Sequence, residues 1–284
     1  MTEVSSGLIF TKNMTKKGKG RTLINFIGIP AIISLIWVGE IYFSIFITLV
    51  VLLALTDFYN LYAEKGYSPS KMLGLGGGII VLIFYHFNLE ISSIELIGSL
   101  IAFTFLIMFS ELFRKRDYFL ENVSLALFGI LYISVTLGTL ILLRQADSLN
   151  GTMFTAAVIL AVWLCDSACM GAGILWGKTK IIPWASPKKS VQGSIAGLGT
   201  SFAVYIIFKT ANIGGLQLSW TDVAVFSLIA GFIGQIGDFM ESWMKRQAGV
   251  KDSGSFLRGH GGVLDRFDSM IFAAPLSYIY LWVR

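Results

Sequence analysis

In the stretch "GDFMESWMKRQAGVKDSGSFLRGHGGVLDRFDS", residues 237 to 269, carboxylates, cationic groups and glycines alternate at spacings suited to phosphate chemistry on a divalent cation. Asp238, Glu241, Ser242 and Lys245 lie at i, i+3, i+4 and i+7, so they share one helix face. Glu241 and Lys245 alone fit a solvated pair at a helix end, worth roughly 0.2–0.5 kcal/mol. Asp238, deeper behind the apolar "VAVFSLIAGFIGQIG", needs a partner or a function. Gly249 is the expected end of this helix. In the loop beyond it, Gly254, Gly259, Gly261 and Gly262 permit the positive φ angles that turn successive N–H groups toward an anion. Asp265, Asp268 and Ser269 then fall at i, i+3 and i+4 near the start of a returning helix. Two helix ends joined by this loop are expected to set Asp238 opposite Asp265 and Asp268. Oxygen ligands of this kind suit Mg²⁺, or Mn²⁺ in its place, which keeps one or two carboxylates together with water and substrate phosphates. Lys245, Arg246, Lys251 and Arg266 supply the positive charge a triphosphate requires. His260, set between glycines, fits a phosphate contact, a proton donor or a loop brace.

A second polar island is "WLCDSACMGAGILWGKTKIIPWASPKKSVQG", residues 163 to 193. Asp166 sits inside an apolar block, where a carboxylate either has a function or is satisfied by a hydroxyl on a neighbouring helix. In "SPKKS", Ser186 is expected to cap the next helix and Pro187 to occupy its first turn, leaving Lys188 and Lys189 beside free N–H groups. Phosphate binding and a topology anchor both fit that pair. Cys165 and Cys169 read as small core residues, since neither a disulfide nor a metal site is expected of them.

The elements that must position these groups are membrane helices. Of 284 residues, 55% are hydrophobic and 14% charged, against about a quarter charged in a soluble domain; the mean hydropathy is +0.73. A hydrocarbon core about 30 Å thick takes roughly 20 apolar residues per helix. Apolar blocks at 23–39, 41–56, 70–87, 93–110, 124–143, 152–176, 191–208, 222–247 and 269–283 predict an all-α polytopic membrane protein with about nine transmembrane helices. The first two blocks share Gly39-Glu40 as a turn and read as a tight hairpin or a re-entrant unit. With a cytosolic N-terminus, all of the 22 Lys and Arg except Arg144, Lys209 and Arg284 fall on the cytosolic side, as the positive-inside rule requires. The chain divides into a basic cytosolic segment (1–22), N-terminal transmembrane helices (23–143) and a C-terminal catalytic transmembrane region (144–284). The net charge of +5 follows from this topology, so nucleic acid is not an expected partner.

From Ser242 to Asp268 the chain resembles the signature of the phosphatidate cytidylyltransferases, or CDP-diacylglycerol synthases, of bacterial type. Ser242, Lys245, Arg246, Lys251, Asp252, Gly254, His260, Gly261, Gly262, Asp265, Arg266 and Asp268 match; Arg258 departs from it. Asp166, Gly173, Gly177, Lys178, Ser186, Pro187, Lys188, Lys189 and Gly193 resemble a second region of the family, with Met170, Ile174 and Gln192 standing where the family tends to have Tyr, Arg and Glu. The N-terminal spans are similar only in being hydrophobic. The resemblance implies CTP and phosphatidate as substrates, CDP-diacylglycerol and diphosphate as products, and a homodimer in contact with lipids of a bacterial inner membrane. It also implies an active site at the cytosolic interface, with the metal on Asp238 and Asp265 and K⁺ alongside. Other CTP-dependent lipid enzymes, such as CDP-archaeol synthases and polyprenol or phytol kinases, would use similar groups. An ion-coupled transporter would instead need charges near the bilayer midplane on several spans, together with internal symmetry.

Overall fold

The computed structural model describes residues 31–89, 93–146, 150–254 and 261–284. Over these the chain is helical, with one isolated bridge between Lys180 and Ser190 and no longer strand pairing. Residues 31–38 are helical and stop at Gly39, whose φ of 145° is open to glycine. Eight helices follow: α1 Glu40–Ala63, α2 Lys71–His86, α3 Ser93–Arg114, α4 Phe119–Gln145, α5 Gly151–Trp176, α6 Val191–Thr210, α7 Trp220–Ala248 and α8 Leu264–Val283. Six of them, α1 and α3 to α7, are long and apolar enough to cross a membrane, and α2 is a shorter apolar helix. Each apolar block from 41 onward coincides with one helix. The block at 23–39 lies partly outside the described residues.

Two helices are not regular throughout. α4 contains a π-helical turn at Ile130–Val135 and α7 another at Ile229–Ile233. The main apolar core joins residues from Ile36 through Tyr59, Leu137, Phe154 and Phe226 to Leu281, with a small separate cluster at Ile107, Val123 and Ala126. Large side chains such as Ile94, Phe105, Ile174, Ile195 and Trp282 stay exposed, so these helices are apolar on their outward faces as well, as in a membrane bundle. Small residues set the closest crossings. A side chain at Gly197 would collide with Cys169, and one at Gly237 would lie 2.6 Å from the Asp268 carbonyl. The Gly237 crossing is what brings the polar ends of α7 and α8 together.

Hydrogen bonds between helix ends sort the bundle into two poles. At one, Arg144 donates to the Ile36 carbonyl (2.8 Å), His86 meets Ser44 (2.9 Å), and Arg284 pairs with Asp222 (2.8 Å). At the other, Lys189 meets Asp238, Val263 meets Asp57, and Lys71 meets Asn60. Arg144, Lys209 and Arg284, the three bases set apart in the sequence, belong to the first pole, where Lys209 donates to the Leu218 carbonyl.

One local expectation is corrected. Ser186 does not cap α6; Ser190 does, accepting from Gly193 N at 3.2 Å. Residues 181–189 are instead a turn-rich loop, since Pro187 donates no backbone hydrogen bond and breaks the approach to the helix. α8 starts at Leu264, which sets Asp265, Asp268 and Ser269 near its beginning as their spacing implied; its opening amides meet a distant carboxylate described below. Gly249 does end α7, in the left-handed conformation with φ 81°.

Candidate functional site

Where α7 crosses α8, Asp238, Glu241 and Asp268 each present a carboxylate oxygen, and the three oxygens lie within 4.8 Å of one another. Asp238 and Glu241 come from one face of α7, one turn apart; Asp268 reaches them because Gly237 lets the helices touch. Glu241 is 1% exposed and Asp268 8%. Ionised carboxylates at such spacing repel unless cations lie between or beside them. Two lysines provide part of that compensation. Lys189 pairs with Asp238 at 2.6 Å, while Lys245 pairs with both Glu241 and Asp265 at 2.5 Å. The Glu241–Lys245 pair is therefore buried, not a solvated pair at a helix end.

Asp265 shares the Lys245 ammonium with Glu241 and lies beside that residue's carboxyl, but it is not one of the three clustered carboxylates. Its second oxygen accepts from Ser253 N (3.0 Å), Ser253 Oγ (2.9 Å) and Gly262 N (2.7 Å). Asp265 thus closes the glycine-rich loop onto the helix that follows it. Gly261 has φ 82° and no room for a side chain beside that carboxylate. Asp238 and Asp265 occupy the same pole, linked through Glu241 and Lys245.

The second polar island lines the same place. A cavity of about 570 Å³ is bounded by Asp166, Cys169, Met170 and Ile174 of α5, by Lys180 and the 186–190 loop including Lys188 and Lys189, and by Gln235, Asp238 and Phe239 of α7. Ser269 donates to Asp166 at 3.4 Å, so this intramembrane carboxylate has a hydroxyl partner and also faces the cavity. Lys189 lies 4.2 Å from the Phe239 ring centroid as well as on Asp238. Cys165 and Cys169 form no disulfide; their thiols meet in a weak hydrogen bond with sulfurs 4.0 Å apart.

Of the other expected residues, Ser242 is buried at the same helix end. Arg246 is exposed and donates to the Val250 carbonyl at 3.3 Å. Lys251, Asp252 and Arg266 are exposed around the loop. His260, like Arg258, lies outside the described residues. One residue escaped the sequence reading altogether. Asp57, near the end of α1, is 6% exposed and accepts from Val263 N (2.5 Å) and Leu264 N (3.3 Å). The available signal was a lone acid in an apolar span, "LLALTDFYN". A second cavity, about 680 Å³, lies between α1 and residues 250–254, with Asp57, Asn60 and Glu64 on its wall.

Carboxylates, lysines and a polar cavity at one pole of an apolar bundle agree with what comparison to known proteins returns. The cytidylyltransferase family profile matches residues 19–284. A phosphatidate cytidylyltransferase of Staphylococcus aureus (strain COL) is 32% identical over 268 residues, covering 93% of this chain and 98% of that protein. Its counterpart in Staphylococcus haemolyticus is 32% identical over 263 residues, and that of a Synechocystis species 30% over 292. The matched region takes in nearly the whole chain, including the N-terminal helices that carry no recognisable motif, and on that basis this chain belongs to the cytidylyltransferase family.

Proposed function

We propose that this protein transfers CMP from CTP to phosphatidate, yielding CDP-diacylglycerol and diphosphate. The observation that carries the reading is the cluster of Asp238, Glu241 and Asp268 beside a lysine-lined cavity at one pole of a membrane bundle. Near-full-length similarity to enzymes named phosphatidate cytidylyltransferase supports the choice of substrates.

A phosphatidate oxygen is already anionic and needs no activating Ser-His pair. It attacks the α-phosphorus of CTP in line; the new bond is P–O, the bond between the α-phosphorus and its bridging oxygen breaks, and diphosphate leaves with that electron pair. The chain's task is to hold two polyanions together and offset their charge. Lys188, Lys189 and Lys180 on the cavity wall are placed to hold phosphates, and Arg246, Lys251 and Arg266, exposed where α7 ends and α8 begins, add positive charge at the same pole. Met170 and Ile174, exposed on α5 at the cavity's edge, offer apolar contact to the diacylglycerol portion.

The donor set fits a divalent metal: three hard carboxylates within 4.8 Å, in a group of acids where Lys189 and Lys245 are the ion-paired lysines. Mg²⁺ or Mn²⁺ there would supply Lewis-acid charge neutralisation at the transferring phosphoryl group. Asp238 is common to this cluster and to the Asp238–Asp265 pair implied by family resemblance. Asp265, through Lys245, keeps the neighbouring ligand Glu241 in place. K⁺ alongside, a homodimer, about nine spans and a site facing the cytoplasm of a bacterial inner membrane complete the reading, and the basic character of the site's pole supports that orientation.

Purified protein in detergent, supplied with phosphatidate, Mg²⁺ and each of the four nucleoside triphosphates, tests it. Diphosphate release with CTP and formation of a CDP-lipid are expected. A lipid phosphate with CDP as by-product, or no CTP preference, overturns the reading.

A further inference from the structure

A carboxylate taken into an apolar helix core persists only when its oxygens are well hydrogen-bonded. Asp57 meets that condition through backbone amides more than 200 positions away: Val263 N at 2.5 Å and Leu264 N at 3.3 Å. These are the opening amides of α8, which has no side-chain cap of its own, and a negative charge is favourable at a helix N-terminus. The preceding amide, Gly262 N, goes to Asp265. Two carboxylates therefore hold three consecutive amides, and the helix so anchored carries Asp265 and Asp268 in its first five residues. The sterics are equally specific. A side chain at Gly254 would enter the volume of the Asp57 carboxylate, whose atoms lie nearest to it, and one at Gly262 would collide with Asp57 and Ser253. Gly254 and Gly262 thus both leave room for the same acid on α1.

We propose that Asp57 is a positioning residue for phosphoryl transfer: by bonding the Val263 and Leu264 amides it fixes the start of α8, and with it the placement of Asp268 in the carboxylate cluster. The assignment rests on the proposed CMP transfer, yet it makes the first membrane helices part of the catalytic machinery.

The test uses the full-length protein in detergent, with wild-type CDP-lipid synthesis as the reference; an inactive wild type refutes the function, not the positioning. Asp57→Ala is expected to lower kcat by about 10- to 100-fold and to raise the Mg²⁺ concentration for half-maximal rate, as loss of a group supporting a metal ligand does. KM for CTP should move by less than about threefold, since the phosphate-holding lysines are untouched. Asp57→Asn, which keeps an acceptor without the charge, should fall between the two. Gly254→Ala should impair the wild type but add little to Asp57→Ala, because the acid it collides with is gone. Wild-type kcat and Mg²⁺ dependence in Asp57→Ala overturn the proposal, as do fully multiplicative effects of Gly254→Ala and Asp57→Ala in the double variant. Should Asp57→Ala not fold, unchanged kinetics in Asp57→Asn overturn it instead.

Discussion

Asp268→Asn separates a metal-binding cluster from a merely structural one. Asp268 is 8% exposed, and its Oδ1 accepts from Ser269 N at 2.7 Å, a bond that asparagine preserves. The substitution therefore removes charge with little change of shape. With cluster oxygens no more than 4.8 Å apart, each ionised pair repels by at least about 3.5 kcal/mol at an effective dielectric constant of 20. Asp268→Asn would abolish two of the three pairs. Protonation and relaxation in the metal-free protein absorb much of this, leaving a stabilisation on the order of 1–3 kcal/mol, visible as a rise of a few degrees in Tm. The metal-loaded comparison runs the other way. Wild type at an Mg²⁺ concentration of 100 times Kd gains about 2.7 kcal/mol, and the variant should gain little. Its kcat should fall by at least about 10²-fold, the typical loss for one electrostatic group in a reacting centre. The assay pairs thermal unfolding in detergent, with and without Mg²⁺, with diphosphate release from CTP. A variant that is less stable than wild type without metal, or that retains wild-type turnover and Mg²⁺ dependence, refutes the reasoning.

Further outcomes follow from the same geometry. Lys189→Met removes the ammonium paired with Asp238 on the cavity wall and should reduce kcat/KM for CTP by about 10- to 100-fold, one charge-assisted contact to phosphate, measured by initial rates. Lys245→Met leaves Glu241 and Asp265 without their shared ammonium; a stability loss of about 3–5 kcal/mol, as for a broken buried pair, should appear in thermal unfolding. Chelation should abolish diphosphate release, with Mg²⁺ or Mn²⁺ restoring it and monovalent salt alone failing to do so.

Helix positions were readable because a membrane imposes them: apolar runs of sufficient length have no other stable form, and the block at 152–176 became Gly151–Trp176. Helical periodicity likewise put Asp238, Glu241 and Lys245 on one face. It could not say which way that face turned, and the pair that looks solvated in sequence is buried between helices. Asp57 was out of reach for a different reason. Its partners are backbone amides, which have no residue type to recognise, and they lie across the whole chain. Counting apolar residues alone begins α8 at 269, and it is the i, i+3, i+4 spacing of Asp265, Asp268 and Ser269 that extends the helix back over its polar first turn. The Ser186 cap failed more simply: two serines flank the lysines, and local propensity does not choose between them.

The π-helical turn at Ile229–Ile233 has a consequence for how α7 tolerates change. It absorbs one surplus residue in a wider turn, a residue that in an unbroken α-helix would rotate everything beyond it by about 100°. The stretch before it anchors through Ser219 and Asp222, while the one after it aims Asp238 and Glu241 at α8. Excising a single amino acid from this turn would let it close into ordinary α-helix with Asp238 and Glu241 still aimed at α8, whereas the same deletion in the regular part of α7 between Gly234 and Asp238 would turn the acidic face about 100° away from its partner.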